Sequence, residues 1–283
     1  MTEKTIQELL EFGILNLDKP ANMTSFDVSE FARKKLGLKK TSHFGTLDPQ
    51  VTGVLPVALN RACKLTGFFL KKNKTYVGIM RLHKEIEEGK LKEEMEKFVG
   101  KIMQLPPVKS RVKREERERQ VYSWKILEKQ EREVLFEVEC EAGTYVRKLI
   151  HDLGEKIGGA HMTELRRTKA GIFLEQDKEF VNLYDFEKAV DSWNSGDEQD
   201  LRKIIIPADE AIKKIMPVVQ VKKESLNQLL TGKPVFLQDI DNESFKDIKE
   251  GQEFSIFFGE KFIEIAKRVD EEDIIARPLW VKN

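Results

Sequence analysis

The chain has 283 residues, and its 49 Lys and Arg are matched by 49 Asp and Glu, so the formal net charge is zero. A hydrophobic share of 40% excludes wholesale disorder, and at ~150 residues per domain the length predicts two domains. Cys63 and Cys140 are the two cysteines, too few and too far apart for a disulfide framework or a four-thiolate zinc site. The charged opening Met1 to Glu11 and the lack of any apolar run near ~20 residues predict a cytoplasmic protein without signal peptide or membrane span.

In chain order, Leu17 to Ser25 (LDKPANMTS) reads as a turn entering a helix that Thr24 or Ser25 caps. Val28, Phe31, Ala32 and Leu36 follow at helical spacing, and Gly37 ends that helix. Thr41 to Arg61 (TSHFGTLDPQVTGVLPVALNR) reads as a loop, because Asp48 precedes Pro49 and Gly45 and Gly53 flank the pair. Tyr76 to Leu82 predicts a strand, and Leu91, Met95, Phe98 and Val99 a second helix. Val121 to Leu127 and Val134 to Glu141 predict two more strands. Val146, Leu149, Ile150, Leu153 and Ile157 share one face of a third helix, closed by Gly158 and Gly159. This mixture lacks a regular βαβ alternation and predicts an α+β unit with a mixed, largely antiparallel sheet.

The clearest break lies between Asp185 and Leu201, where Ser192 to Asp200 is polar and reads as a surface loop. Beyond it, a helix at Glu224 to Leu230 and strands at Pro234 to Leu237, Phe254 to Phe258 and Phe262 to Lys267 predict a small β barrel.

Several side chains stand out for chemistry. Asp48 is a carboxylate held by a rigid pre-proline loop, a common place for catalytic groups. Arg147 starts the third helix beside a core-facing valine, and a partly buried arginine wants a carboxylate partner, so Asp48 is its candidate. Lys19 suits either a phosphate contact or a loop brace, and Tyr76 either core packing or stacking on a base. The run Lys109 to Arg119 carries six Lys or Arg and three Glu; Lys109, Arg111, Lys113 and Arg114, with Arg166 and Arg167 further on, are candidate RNA-backbone contacts. No Walker A, no GxGxxG and no metal-ligand set occurs, so neither metal nor cofactor is expected.

Taken in order, LDKP (17–20), HFGTLDPQVTGVLPVAL (43–59), KTYVG (74–78), PPVKSRVKR (106–114), GTYVRKLIHDLG (143–154) and GAHMTELRRTKAG (159–171) resemble the TruB/dyskerin family of RNA pseudouridine synthases. The second unit is similar to the family's RNA-binding PUA domain. The resemblance implies an N-terminal extension at 1–12 packing on the PUA domain, a catalytic domain at 13–215 with the pseudouridine synthase fold, and a PUA-type barrel at 216–283. The wording of these motifs is most similar to the archaeal and eukaryotic branch. The stretch Val112 to Gln120 is too short for the thumb insertion of the stand-alone bacterial branch.

That branch implies a partnership with an H/ACA guide RNA, a substrate rRNA or tRNA, and Nop-type, Gar-type and kink-turn-binding proteins. The implied reaction breaks a uridine's N-glycosidic bond, turns the uracil, and rejoins it to the ribose through C5. By resemblance Asp48 is the catalytic carboxylate, either as nucleophile or as manager of charge and protons near C1′ and C2′. Arg147 pairs with it. Tyr76 stacks on the base and is placed to help with the C5 proton, and Leu165 packs the base's other side. Lys19 braces the loop, and His43 lies by the flipped nucleotide. Phe44 stands where the family has a small residue, and is expected to reshape the mouth of the site. Other readings are a stand-alone enzyme for the TΨC-loop uridine of tRNA and a non-catalytic RNA-binding scaffold.

Overall fold

The computed structural model describes residues 4–106, 113–240 and 243–282. It comprises two units, Met1–Ile206 and Pro207–Asn283.

In the first unit the chain runs through α1 (Ile6–Glu11), β1 (Gly13–Lys19), α2 (Ser25–Lys35), β2 (Thr41–His43), β3 (Thr52–Leu59), α3 (Thr66–Leu70) and β4 (Lys74–Leu82). It continues through α4 (Glu88–Glu96), β5 (Gly100–Gln104), β6 (Arg117–Gln130), β7 (Glu133–Cys140), α5 (Val146–Ile157) and β8 (Ala160–Ala170). It closes with β9 (Phe173–Leu174), β10 (Phe180–Asn182), α6 (Leu183–Asn194), α7 (Gln199–Ile204) and β11 (Ile205–Pro207). Side-chain caps open α1, α2 and α6, from Thr5, Thr24 and Asn182. Thr24 Oγ1 accepts from Asp27 N at 3.1 Å while Asp27 Oδ2 accepts from Thr24 N at 2.9 Å, a reciprocal box at the head of α2.

One sheet runs β10-β1-β3-β8-β4-β7-β6-β5, with β11 added to β1, β2 to β3 and β9 to β8. β1 with β10 and β3 with β8 pair parallel, while β1 with β3, β2 with β3, β4 with β7 and β8, β5 with β6, β6 with β7 and β8 with β9 pair antiparallel. The β3–β8 contact is short, Thr52 opposite Arg166 and Gly53 opposite Arg167, and it joins two halves that each have a core. On one half, Leu17, Leu55 and Val57 pack with Val28 and Ala32 of α2 and Phe186 and Val190 of α6. On the other, Met80, Phe136 and Val138 pack with Leu91 and Met95 of α4 and Leu149, Ile150 and Leu153 of α5. The mixed sheet with flanking helices agrees with the α+β expectation.

The structure departs from the sequence reading in several places. Residues 52–59, read as loop, form a nearly wholly buried central strand. A strand covered on both faces shows a continuous apolar run and no alternation, so its pattern looks like no strand at all. Leu17, Asp18 and Lys19 belong to β1, and the turn begins after them. The basic segment 161–171 is mostly strand β8. Val99 lies beyond the end of α4 and is exposed. The break at 185–201 is no domain boundary: α6 and α7 bury Phe186, Ala189, Val190 and Leu201 in the first core. The units divide after Ile206, earlier than the expected 215. The N-terminal segment belongs to the first unit, where Ile6, Leu9 and Leu10 of α1 pack in the core with Leu15 and Leu59.

The second unit contains α8 (Ala208–Lys213), β12 (Val218–Gln220), α9 (Leu226–Leu230), β13 (Val235–Phe236), β14 (Glu253–Phe258), β15 (Lys261–Glu271) and β16 (Ile274–Val281). Its five strands run β12-β14-β15-β16-β13 and curl into a half-barrel, with Val219, Ile256, Ile263 and Ala276 inside. The short β12 and the proline-bearing β16 escaped the sequence pattern.

Candidate active site

The segment between β2 and β3 meets the sheet at the seam where β3 joins β8. It is fastened on every side. Ser25, at the first position of α2, receives Leu47 N–H at 2.7 Å and returns its own hydroxyl proton to Leu47 O at 3.2 Å. Val51 N closes a turn on Asp48 O at 3.0 Å, and Asn22 N reaches Pro49 O at 2.9 Å from a left-handed residue at φ 66°. Leu47 and Val51 drop into the apolar cluster that also holds Val146, Leu165 and the ring of Tyr76. The clamp leaves Asp48 between two buried apolar anchors, with its own side chain 51% exposed.

Arg147 of α5 forms an ion pair with Asp48 through Nη2 and Oδ2, and is itself 54% exposed. Across 99 residues of chain, the structure makes the pair that the sequence proposed. Tyr76 stands on β4 opposite Arg167 of β8, and Leu165 opposite Gly78. A Cβ on Gly78 would come within 2.8 Å of both Leu165 Cδ1 and the Phe136 ring, so glycine is what lets Leu165 lie flat beside Tyr76. Burial pushes the Tyr76 phenol up from its ordinary range despite the Arg167 charge beside it, so it stays neutral at working pH.

Lys19 is fully buried. Its ammonium donates to Pro20 O at 2.8 Å and Pro49 O at 3.0 Å. Burial lowers its pKa and the Asp48 charge partly restores it. This geometry fits the brace and leaves no exposed ammonium for a phosphate. His43 is half-buried, with Nε2 3.1 Å from Thr46 Oγ1. Burial, helped by Arg167, lowers its pKa and keeps it neutral.

Two of the expected RNA contacts are otherwise engaged. Arg166 grips Asp18 with both terminal nitrogens at 3.0 Å and Glu175 with Nε at 2.9 Å. Arg167 is 1% exposed and donates to backbone carbonyls. Alternation on β8 sends the two to opposite faces, Arg167 into the interior and Arg166 to a partly exposed position. Lys113 and Arg114 are exposed, Lys113 paired with Glu115 at 2.8 Å, while Lys109 and Arg111 lie outside the described residues. Phe44 does not reach the mouth of the site. It is buried, stacked on Phe69 at 4.7 Å and packed beside Phe173 at 5.9 Å. His151, Asp152 and Glu155 gather on α5, but Asp152 is already paired with Lys148 and the other two are exposed.

Sequence reasoning missed the Ser25 clamp and the buried role of Arg167. The capping position hides the first, and the basic run around Leu165 disguises the second. Leu165 and Arg167, two apart on a strand, carry the signal that one face is buried.

Comparison with known proteins agrees with this arrangement. The model of the TruB family pseudouridylate synthase N-terminal domain matches residues 33–146, and that of the tRNA pseudouridylate synthase B C-terminal domain matches 147–213. The probable tRNA pseudouridine synthase B of Methanothermobacter thermautotrophicus is 46% identical over 219 residues, 77% of this chain and 67% of that protein. The protein of that name from Methanocaldococcus jannaschii is 42% identical over 252 residues, 88% and 74% of the two chains. Among solved structures, the matching chain of a Cbf5-Nop10-Gar1 complex superposes with a TM-score of 0.89 at 36% identity, covering 98% of this chain and 87% of that one. A chain from an H/ACA RNP bound to a substrate RNA containing 2′-deoxyuridine gives 0.87 at 34%, with the same coverages. The second unit thereby matches the PUA-like domain of Cbf5 structures. An exposed, clamped aspartate paired to an arginine, beside a half-buried tyrosine and a buried leucine, sits in a chain that belongs to the TruB family of pseudouridine synthases.

Proposed function

We propose that this enzyme is the catalytic subunit of a guide-directed H/ACA-type ribonucleoprotein, converting chosen uridines of rRNA or tRNA to pseudouridine. The observation that carries this reading is the TM-score of 0.89 over 98% of the chain, both units included, to Cbf5 from a complex with Nop10 and Gar1. Such an assembly supplies the Nop-type, Gar-type and kink-turn-binding partners and an H/ACA guide RNA, with the PUA-like unit holding the guide's ACA-bearing end. The setting is cytoplasmic.

At the site, the target uridine leaves its stack and enters between Tyr76 and Leu165. Asp48, held by the Ser25 and Lys19 braces and paired with Arg147, serves the ribose C1′ region as the N1–C1′ bond breaks. The freed uracil turns, C5 bonds to C1′, the C5 proton leaves to restore the aromatic base, and N1, released from C1′, takes up a proton. One proton lost at C5 and one gained at N1 leave the composition unchanged, so the step is an isomerisation. His43 lines the nucleotide's path, and Lys113 and Arg114, with Lys109 and Arg111, supply backbone contacts.

A second reading, a stand-alone tRNA enzyme, is favoured by the tRNA pseudouridine synthase B names of its relatives. Pseudouridine formation on tRNA transcript separates the two. The protein is assayed alone, then with matched guide RNA and partner proteins, with Asp48→Ala as control. Product only in the complete assembly supports the guided reading. Product from the protein alone establishes the second, and product from Asp48→Ala would overturn the assignment of the carboxylate.

A further inference from the structure

Arg167 is among the largest fully buried side chains of the protein. Its Nε donates to Val54 O at 2.8 Å and its Nη2 to Gly45 O at 3.0 Å. These carbonyls lie on either side of Asp48 in the chain, one before the clamped turn and one in β3. On the sheet Arg167 pairs with Tyr76, and its charge lies near enough to the phenol to oppose the rise that burial gives the phenol's pKa. The backbone is shaped around it. Gly53 sits at φ 102°, where a Cβ would stand 2.2 Å from Arg167 O, and Gly45 sits at φ 121° with room for a Cβ only 3.4 Å from Arg167 Nη1.

Among the described residues no carboxylate pairs with Arg167. A buried cation without an anion is costly, and an apolar side chain of similar size would pack there more cheaply. The planar fork offers what such a side chain lacks, donors at fixed angles that reach two separated carbonyls at once. The rigid fork joins the leading and trailing sides of the Asp48 segment, and its strand position sets it opposite Tyr76.

We propose that Arg167 is a positioning residue of the catalytic centre, holding the Asp48 segment and Tyr76 in one fixed relation so that carboxylate and base-stacking ring keep their separation during the reaction. This rests on reading Asp48 and Tyr76 as the groups that meet the uridine. It replaces the expectation that Arg167 contacts RNA. A positioning role predicts a loss in the chemical step and none in binding, because a ~1 Å misplacement of reacting groups costs about 10²-fold in rate.

The test uses the full chain with the RNA that the wild-type protein converts, alone or in its assembly. It reads single-turnover rate, RNA affinity and the salt dependence of that affinity. Arg167→Lys keeps the charge and loses the fork. Its rate is expected to fall about 10²-fold, with RNA affinity and salt slope unchanged. Gly45→Ala removes no buried charge and strains the φ 121° backbone that aims the Gly45 carbonyl at the guanidinium, and the same split is expected. If Arg167→Lys loses its cooperative melt, Gly45→Ala decides alone. Wild-type rates in the folded variants would overturn the proposal, as would a loss of affinity with a shallower salt slope, the mark of a phosphate contact. Asp48→Ala runs beside them: turnover there would overturn the underlying reading of the site, and an inactive Asp48→Ala beside fully active positioning variants would overturn the role of Arg167 alone.

Discussion

Replacing Glu264 by glutamine is expected to stabilise the protein in a strongly pH-dependent way. Glu264 lies on β15 opposite Ile256, on the inner face of the second unit, and is wholly buried. Among the described residues neither carboxylate oxygen has a hydrogen-bond partner. Burial alone raises its pKa from 4.5 to about 8. Below 4.5 the carboxyl is protonated in both folded and unfolded chains and costs nothing through ionisation. Between 4.5 and about 8 the folded state must keep a proton that the unfolded state releases. Over that window stability falls by ~1.4 kcal/mol per pH unit, about 5 kcal/mol in all and ~3 kcal/mol by pH 7. Above it the loss levels off. Glu264→Gln keeps the shape and removes the titration, so the gap between variant and wild type opens as pH rises. Urea unfolding of both proteins at intervals from pH 5 to pH 9 reads the gap directly, in a transition assigned to the second unit by Trp280 fluorescence in a shared Trp124→Phe, Trp193→Phe background. Parallel stability curves across that range would refute the reasoning, since they would mean the carboxyl is ionised or solvated in the folded protein.

Phe44→Ala removes one ring from the stack with Phe69 and Phe173. A loss of about 3–5 kcal/mol is expected from thermal melts, with turnover retained below the melt, because the ring lies in the core and away from the reacting groups. Arg147→Met breaks an ion pair whose partners are both more than half exposed. Stability should change by less than ~1 kcal/mol, while single-turnover rate falls about 10²-fold because the carboxylate loses its orientation; a rate equal to wild type would remove Arg147 from the site.

The tertiary structure decided which charges serve catalysis and which serve the fold. Arg166 and Arg167 are neighbours of identical type, and nothing in a run of basic residues distinguishes a hydrated phosphate contact from a buried fork. Strand alternation sends one to Asp18 and Glu175 and the other beneath the Asp48 segment, a distinction visible only once β8 is known to be a strand between β3 and β4. Phe44 is a similar case. Its size was plain in the sequence, but Phe69 and Phe173 receive it through contacts between distant segments. The break read at 185–201 is a further case, since a polar stretch marks a surface loop equally well inside a domain and between domains, and α6 and α7 around it pack in the first core.

What the sequence by itself determined was local or carried by ordered motifs. The Thr24 cap and the apolar face of α5 follow from capping chemistry and periodicity that need no distant partner. The motif order carried the family and with it the pairing of Asp48 with Arg147. The central strand β3 and the Ser25 and Arg167 clamps came from the fold alone. Burial on both faces erases the two-residue period that marks a strand, and hydrogen bonds from a side chain to a distant carbonyl leave no trace in the residue that supplies the carbonyl.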